Sequence, residues 1–254
     1  MRTLTKLFLV VLVIAAVTAA CVVPFQPRMA KGSGDIIVED RKVSGFDKIL
    51  MEGAGRIILT QGSSESLSVE TDDNLMEYIK TEVNGDTLEI GFEDNVVFSS
   101  GSGRTALDPT DGFIFRINVI DLQAISISGA ADIEIEKLKT DQLDIDLSGA
   151  GQVSVDDLNA DHLSVLVSGA GDVKIAGSVE DQIVRLSGFG RYQAFDLESQ
   201  EASVTISGAG GADVWAMEKL DVTISGAGDV KYYGTPSVTP EISGLGRIQS
   251  QGDK

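Results

Sequence analysis

Apolar and polar residues alternate along most of residues 122–252, and the alternation restarts at a nearly fixed interval. The restart is marked by Ser-Gly at Ser128, Ser148, Ser168, Ser187, Ser207, Ser225 and Ser243, giving intervals of 20, 20, 19, 20, 18 and 18 residues. Counting each serine as position one, the residue before it is Ile127, Leu147, Val167, Leu186, Ile206, Ile224 or Ile242. Two residues earlier stand Ile125, Ile145, Val165, Val184, Val204 and Val222, with Pro240 breaking the column. Position six holds Ile133, Val153, Val173, Tyr192, Ala212, Val230 and Ile248, and position eight adds Ile135, Val155, Ile175, Ala194, Val214 and Tyr232. Positions five and seven are mostly charged or polar. A period of two with one apolar side is the signature of a strand buried on one face.

Each unit therefore reads as strand, Ser-Gly-x-Gly corner, strand and a variable return. A unit of this length cannot bury its own apolar face and must stack on its neighbours. The predicted fold is all-β: a parallel β-helix of 18–20-residue coils whose interior is a set of aliphatic ladders. Glycine at positions two and four supplies positive φ or lets the backbone approach closely where the chain turns. Position three is small, except for Phe189 and Leu245. The corner serines are expected to form a hydrogen-bonded ladder. A row of nucleophiles would need a base beside each one, and the single histidine, His162, falls in a return and is expected to be exposed.

Residues 35–121 alternate without the corner motif and predict a strand-rich N-terminal cap. Strands are expected at Phe46–Leu50, Gly55–Thr60, Ser66–Thr71, Tyr78–Val83 and Thr87–Phe92. Asn84-Gly85-Asp86 signals a hairpin between the last two, since Asn and Gly tolerate positive φ. Asp94 to Gly112, with Ser99-Ser-Gly-Ser-Gly103 and Asp108-Pro-Thr-Asp-Gly112, reads as a long surface loop.

The first residues stand apart from this pattern. Arg2 and Lys6 precede an apolar run from Leu7 to Val17 that is short for a bilayer span, and small residues follow, so residues 1–20 read as a secretory signal. Thr18-Ala19-Ala20-Cys21 resembles the lipobox of bacterial lipoproteins, although leucine is usual where this chain has Thr18. That resemblance implies cleavage before Cys21, lipidation of its thiol and attachment to a membrane. Cys21 is the only cysteine, so no intramolecular disulfide explains its presence in an exported chain. Val22 in place of an aspartate implies the outer membrane in a Gram-negative cell. Ordinary signal-peptidase cleavage, giving a secreted or periplasmic protein, is the alternative. Residues 21–34 then form the lipidated N-terminus and a tether.

Charge narrows the partners. With 39 acidic and 20 basic residues the formal charge is −19, and loss of Arg2 and Lys6 with the signal takes it to −21. Such a surface excludes nucleic acid, whose phosphates need a cationic footprint. It keeps a protein soluble and leaves cations or cationic partners as complements.

The repeated Ser-Gly-Ala-Gly-Asp-Val at Ser168–Val173 and Ser225–Val230 resembles the auto-transporter adhesin family with a head GIN domain. Phe46-Asp-Lys-Ile-Leu-Met-Glu-Gly-Ala-Gly-Arg-Ile-Ile-Leu-Thr-Gln-Gly62 is similar to that family's opening, with Glu52-Gly53-Ala54-Gly55 in place of the later corners. The resemblance spans about Asp35 to Gln251. It implies a right-handed β-helix and carries no catalytic residue or cofactor.

Three constellations are candidates for chemistry. Phe195, Trp215 and Tyr233 share position nine of consecutive coils, which parallel stacking would place about 4.8 Å apart. Burial of this ladder in the core is the expectation; exposed, it would stack a sugar ring or a protein ligand. Gly-x-Gly-Asp at Gly169–Asp172 and Gly226–Asp229 faintly resembles a calcium nonapeptide, but Arg191 and Arg247 stand in the same column, so no metal is expected. Outward Asp144 and Asp146, with Asp132 and Glu134, are the acids a polysaccharide lyase or hydrolase would need to converge in a groove. The reading is a non-catalytic envelope lipoprotein acting as a binding, adhesion or structural module, with a carbohydrate-active enzyme as the alternative.

Overall fold

The computed structural model describes residues 28–94, 96–97 and 105–254. Successive coils stack in parallel and in register: Ile125 pairs with Ile145, Val165 with Val184, and Val204 with Val222. The four predicted apolar columns are buried from their first members through Val222, Val214, Ile224 and Val230. Each fully buried aliphatic side chain contributes roughly 1.5–3 kcal/mol. The columns open to solvent toward the end of the stack, where Tyr232 and Ile248 are half-buried and Ile242 is 46% exposed.

The return segments are more regular than their variability predicts. Ala170–Leu186, Arg191–Ile206 and Gly211–Ile224 each run as one strand through the return into the next corner. Differences in coil length are absorbed by register shifts, such as that between Gln193 and Glu198 opposite Asp213 and Trp215.

The corner is built by the backbone. The carbonyl preceding each serine accepts two amides from the next coil: Ile127 O receives Ser148 N at 3.0 Å and Gly149 N at 3.1 Å. Position-two glycines are required by contact between coils. A Cβ on Gly149 would lie 1.9 Å from Gly129 O, and one on Gly169 would lie 1.9 Å from Gly149 O. Positive φ, the other expected reason, applies to only two corner glycines among the described residues, Gly55 and Gly151. The hydroxyl ladder is also not what forms. All seven serines are exposed, and among the described residues only Ser148 Oγ makes a hydrogen bond, to Ile127 O at 3.2 Å.

Aspartate at position five has a structural use that its sequence context hid. The Oδ1 atoms of Asp132, Asp172 and Asp229 accept the position-five amide of the next coil, from Gln152, Arg191 and Arg247, at 3.0, 3.1 and 3.1 Å. These carboxylates brace the stack.

The cap reorders the chain. Lys48–Met51 and Ala54–Gln61 form the coil that abuts the Ser128 coil directly, with Ala54 opposite Ala130 and Gly55 opposite Ala131. The other side of that coil is covered by Thr87–Phe92 and Ile114–Val119, both later in sequence. Ser66–Asp72 then runs antiparallel between Ile114–Val119 and Ile36–Arg41. The hairpin Ile79–Asn84 to Thr87–Phe92 forms as predicted, with Gly85 at φ +65°.

Two expectations are corrected at the cap. The segment read as a loop contributes Val96–Val97 and Thr105–Asp108, which form a parallel three-stranded sheet with Arg28–Lys31. The tether read as extending to Gly34 is therefore docked from Arg28 onward. Buried Asp72 secures the junction by accepting Gly34 N at 2.8 Å, Thr110 N at 2.8 Å and Thr110 Oγ1 at 2.7 Å. Burial opposes ionisation of Asp72, but these donors outweigh it and hold its carboxyl below the usual range.

Candidate functional site

Two surface features lie together on the last four coils. The first is the aromatic group. Phe195, Trp215 and Tyr233 are half-buried on the outside of the coils, not in the core as expected. Tyr233 is the register partner of Trp215. The Ser187 coil carries two more residues than the Ser207 coil, and its bulge displaces Phe195 from the column. The Phe195 ring then meets Tyr233 edge-on, with centroids 5.0 Å apart, so the three rings form a cluster and not a ladder.

Trp215 is fixed from within. Buried Tyr192 donates its hydroxyl to Gln182 Oε1 at 2.9 Å, Gln182 Nε2 donates to Ser199 Oγ at 2.9 Å, and Ser199 Oγ donates to Trp215 O at 2.8 Å. Burial raises the Tyr192 phenol far above its ordinary value, so the chain of donors stays intact at all physiological pH.

The second feature is an open groove of about 960 Å³ on the strand that follows the corner. Gly190, Gly210, Gly211, Gly228 and Gly246, with Ala209 and Ala227, make its floor. Phe189 and Leu245, the two exceptions to the small residues of position three, stand at its ends, 79% and 85% exposed. They are three coils apart, or roughly 14 Å. Arg191, Lys231 and Arg247 face Asp172, Asp213 and Asp229 along it. Arg247 is paired with Asp229 at 3.0 Å. Asp213 is half-buried, and loss of hydration raises its carboxyl above the usual range despite the opposing pull of Lys231 and Arg191.

Gly211 explains the width of the groove. It is the glycine of the position-five column, and a Cβ there would meet only Asp229 O, at 3.4 Å. That is an ordinary contact, unlike the clashes at position two, so packing does not demand this glycine. Its missing side chain leaves the floor open. Phe189 and Leu245 were legible in the sequence as exceptions to their column, and together with Gly211, whose place in the position-five column gains meaning only here, they mark the groove.

The remaining candidates fall apart spatially. Asp144 and Asp146 lie on the strand before the corner and Asp132 and Glu134 on the strand after it, in different pairing ladders. Glu134 is held by Arg56 at 2.7 Å. His162 is exposed as expected and pairs with Asp181, its register partner in the next coil. The hydrogen bond and charge of Asp181, helped by Asp161 and Glu180, raise its imidazole above 6.5. Cys21 lies outside the described residues. No helix among the described residues is long and apolar enough to cross a membrane, and none of their His, Cys, Asp and Glu side chains form a group of three suited to a metal ion.

A family model described as "Putative auto-transporter adhesin, head GIN domain" matches residues 45–236. The chain belongs to this family. Crystal structures of similar proteins share its fold. A putative adhesin from Bacteroides fragilis NCTC 9343 is 28% identical, with a TM-score of 0.80 covering 87% of this chain and 99% of its own. A protein described as a putative lipid binding protein, from Parabacteroides distasonis ATCC 8503, is 26% identical, with a TM-score of 0.70 over 88% of this chain and 99% of its own. A putative adhesin from Parabacteroides merdae ATCC 43184, 23% identical with a TM-score of 0.66, covers 88% of this chain and 99% of its own and attests to the fold. No curated protein matches the sequence. Membership of the head GIN family and its adhesin relatives support a binding or adhesion role and an extracellular or envelope-associated location. The family match ends before Leu245, Arg247 and Lys254, so it does not account for one end of the groove.

Proposed function

We propose that this head GIN protein is a lipid-anchored, non-catalytic binding module of the cell envelope, and that the groove between Phe189 and Leu245 receives an extended surface glycan. The observation that carries this is the coincidence of three departures from the repeat at one place. Two exposed apolar residues replace alanine, and a sterically unnecessary glycine lies between them. Apolar posts beside a polar, open floor suit a polymer with alternating apolar faces and hydroxyls. The charged side chains along the floor supply donors and acceptors of both kinds.

Display fits the geometry. Six residues separate Cys21 from Arg28, a reach of about 20 Å when extended. The cap would face the anchor, and the groove would stand several coils farther out. Supporting this reading are the lipobox-like sequence and the adhesin relatives. The enzymatic alternative rests on Asp213, the groove carboxylate whose raised pKa suits a general acid.

The test is a panel of bacterial and host polysaccharides presented to the purified protein and to a Phe189→Ala/Leu245→Ala variant. Retention without new reducing ends or unsaturated products, weakened at least about tenfold in the variant, is the expected outcome. Product release lost in Asp213→Asn would establish the enzyme instead. Labelled palmitate incorporated by cells expressing the native chain, and absent from Cys21→Ser, checks the anchor.

A further inference from the structure

The aromatic cluster already holds a ligand, and it comes from the same chain. The ammonium of Lys254 donates to Phe195 O at 2.7 Å and to the Asp196 carboxylate. It also lies 4.9 Å from the centroid of the Trp215 ring and 5.7 Å from that of Tyr233. Both distances are within the range of cation–π attraction. A carbonyl, a carboxylate and two ring faces are a full complement for an ammonium with three donors.

Each part of this pocket has a structural cause. The bulge that takes Phe195 out of register also frees its carbonyl from the regular ladder. The buried Tyr192–Gln182–Ser199 chain fixes the backbone of Trp215. Trp215 Nε1 is buried without a hydrogen-bond partner, a cost that packing alone does not explain. Among the described residues, the backbone of the Lys254 arm is tied to the stack only at its base. Gln251 N and Gly252 O tie its base to Tyr232 O and Gly234 N, at 2.8 and 3.0 Å. Beyond Gly252, at φ +92°, Asp253 and Lys254 are exposed. Asp196 is itself 71% exposed on its side chain, so the pocket opens to solvent.

We infer that Phe195, Asp196, Trp215 and Tyr233 form a recognition site for a primary ammonium, occupied here by Lys254, and that its external ligand is a lysine side chain of a partner protein. Lysine is the group the pocket is seen to fit. The strongly acidic surface favours a cationic protein partner over long range. Binding then proceeds by exchange: the arm swings out about Gly252 and the partner's ammonium takes the same four contacts. Lys254 thereby sets a threshold that a free ammonium must overcome. This inference does not depend on the glycan groove.

Trp215 is the only tryptophan, so its emission reports the pocket alone. The native protein, Lys254→Ala and Lys254→Gln are titrated with Nα-acetyl-lysine amide, with the uncharged norleucine analogue and ethanolamine as controls. A saturable change in both variants is expected, with half-saturation at least about tenfold lower than in the native protein. Asp196→Asn in the Lys254→Ala background should weaken it about tenfold, and the norleucine analogue should be silent. Absence of a saturable response in both folded variants, or an equal response to norleucine, overturns the site. Ethanolamine binding as well as the lysine derivative overturns the assignment to a protein lysine.

Discussion

The position-two glycines show how one missing methyl group sets the pitch of a fold. At Gly169 the preceding coil's backbone oxygen, Gly149 O, would lie 1.9 Å from a Cβ, well inside contact distance, and the neighbour is main chain that cannot rotate away. Gly169→Ala is expected to cost roughly 3 kcal/mol or more in urea unfolding, because the coils must separate to admit it. Ser168→Ala should change stability by less than about 0.5 kcal/mol, since that hydroxyl is exposed and the corner is closed by amides. A comparable effect at both positions would mean that the hydroxyls carry the corner after all. His162 gives a second test at this scale. Its folded pKa is raised by Asp181, so the pair's contribution to stability is complete below about 6.5 and is lost as pH rises through the raised value. Proton NMR of this single imidazole should give a midpoint above 6.5, and Asp181→Asn should bring it back toward that value.

Strands explain how the stack ends. Ser237–Ile242 pairs on one side with Gly211–Ile224 and is an edge among the described residues. Because Ser243 N donates inward to Ile224 O, the alternation of the ladder turns Glu241 N inward and Pro240 N outward. Proline thus occupies a place where its missing N–H would face a docking strand, a common protection for exposed edges. Pro240→Val restores that donor and a β-branched side chain beside the exposed Ile242. Concentration-dependent association by sedimentation is the expected result, with the native chain showing none at the same concentrations. If both behave alike, Ile242 and the edge are not the determinants of association. The opposite end is closed by the hairpin, by Ser66–Asp72 and by the docked Arg28–Lys31 segment.

For the molecule as a whole, the repeating columns were legible because they are dictated locally: alternation fixes the buried face, and a fixed interval fixes the stack. Gly85 in the hairpin and the exposed His162 were equally readable, since each depends on near neighbours. The order of the coils was not. Glu52–Gly55 packs against Ser128–Ala131 while intervening strands cover its other side, and no local pattern records which of two open faces a coil will meet. The strand at Thr105–Asp108 was missed for the same reason, because its partner Arg28–Lys31 is distant in sequence, and Val96–Val97 is a strand only through pairing with Thr105–Ala106. Position nine looked like a core ladder until a two-residue difference between coils moved Phe195 outward and let Lys254 reach the rings. The sequence by itself determined the repeat, its buried columns and its family resemblance. Only the tertiary structure decided which surface exceptions converge, because a groove and an ammonium pocket are made by residues of different coils and exist only once those coils are stacked.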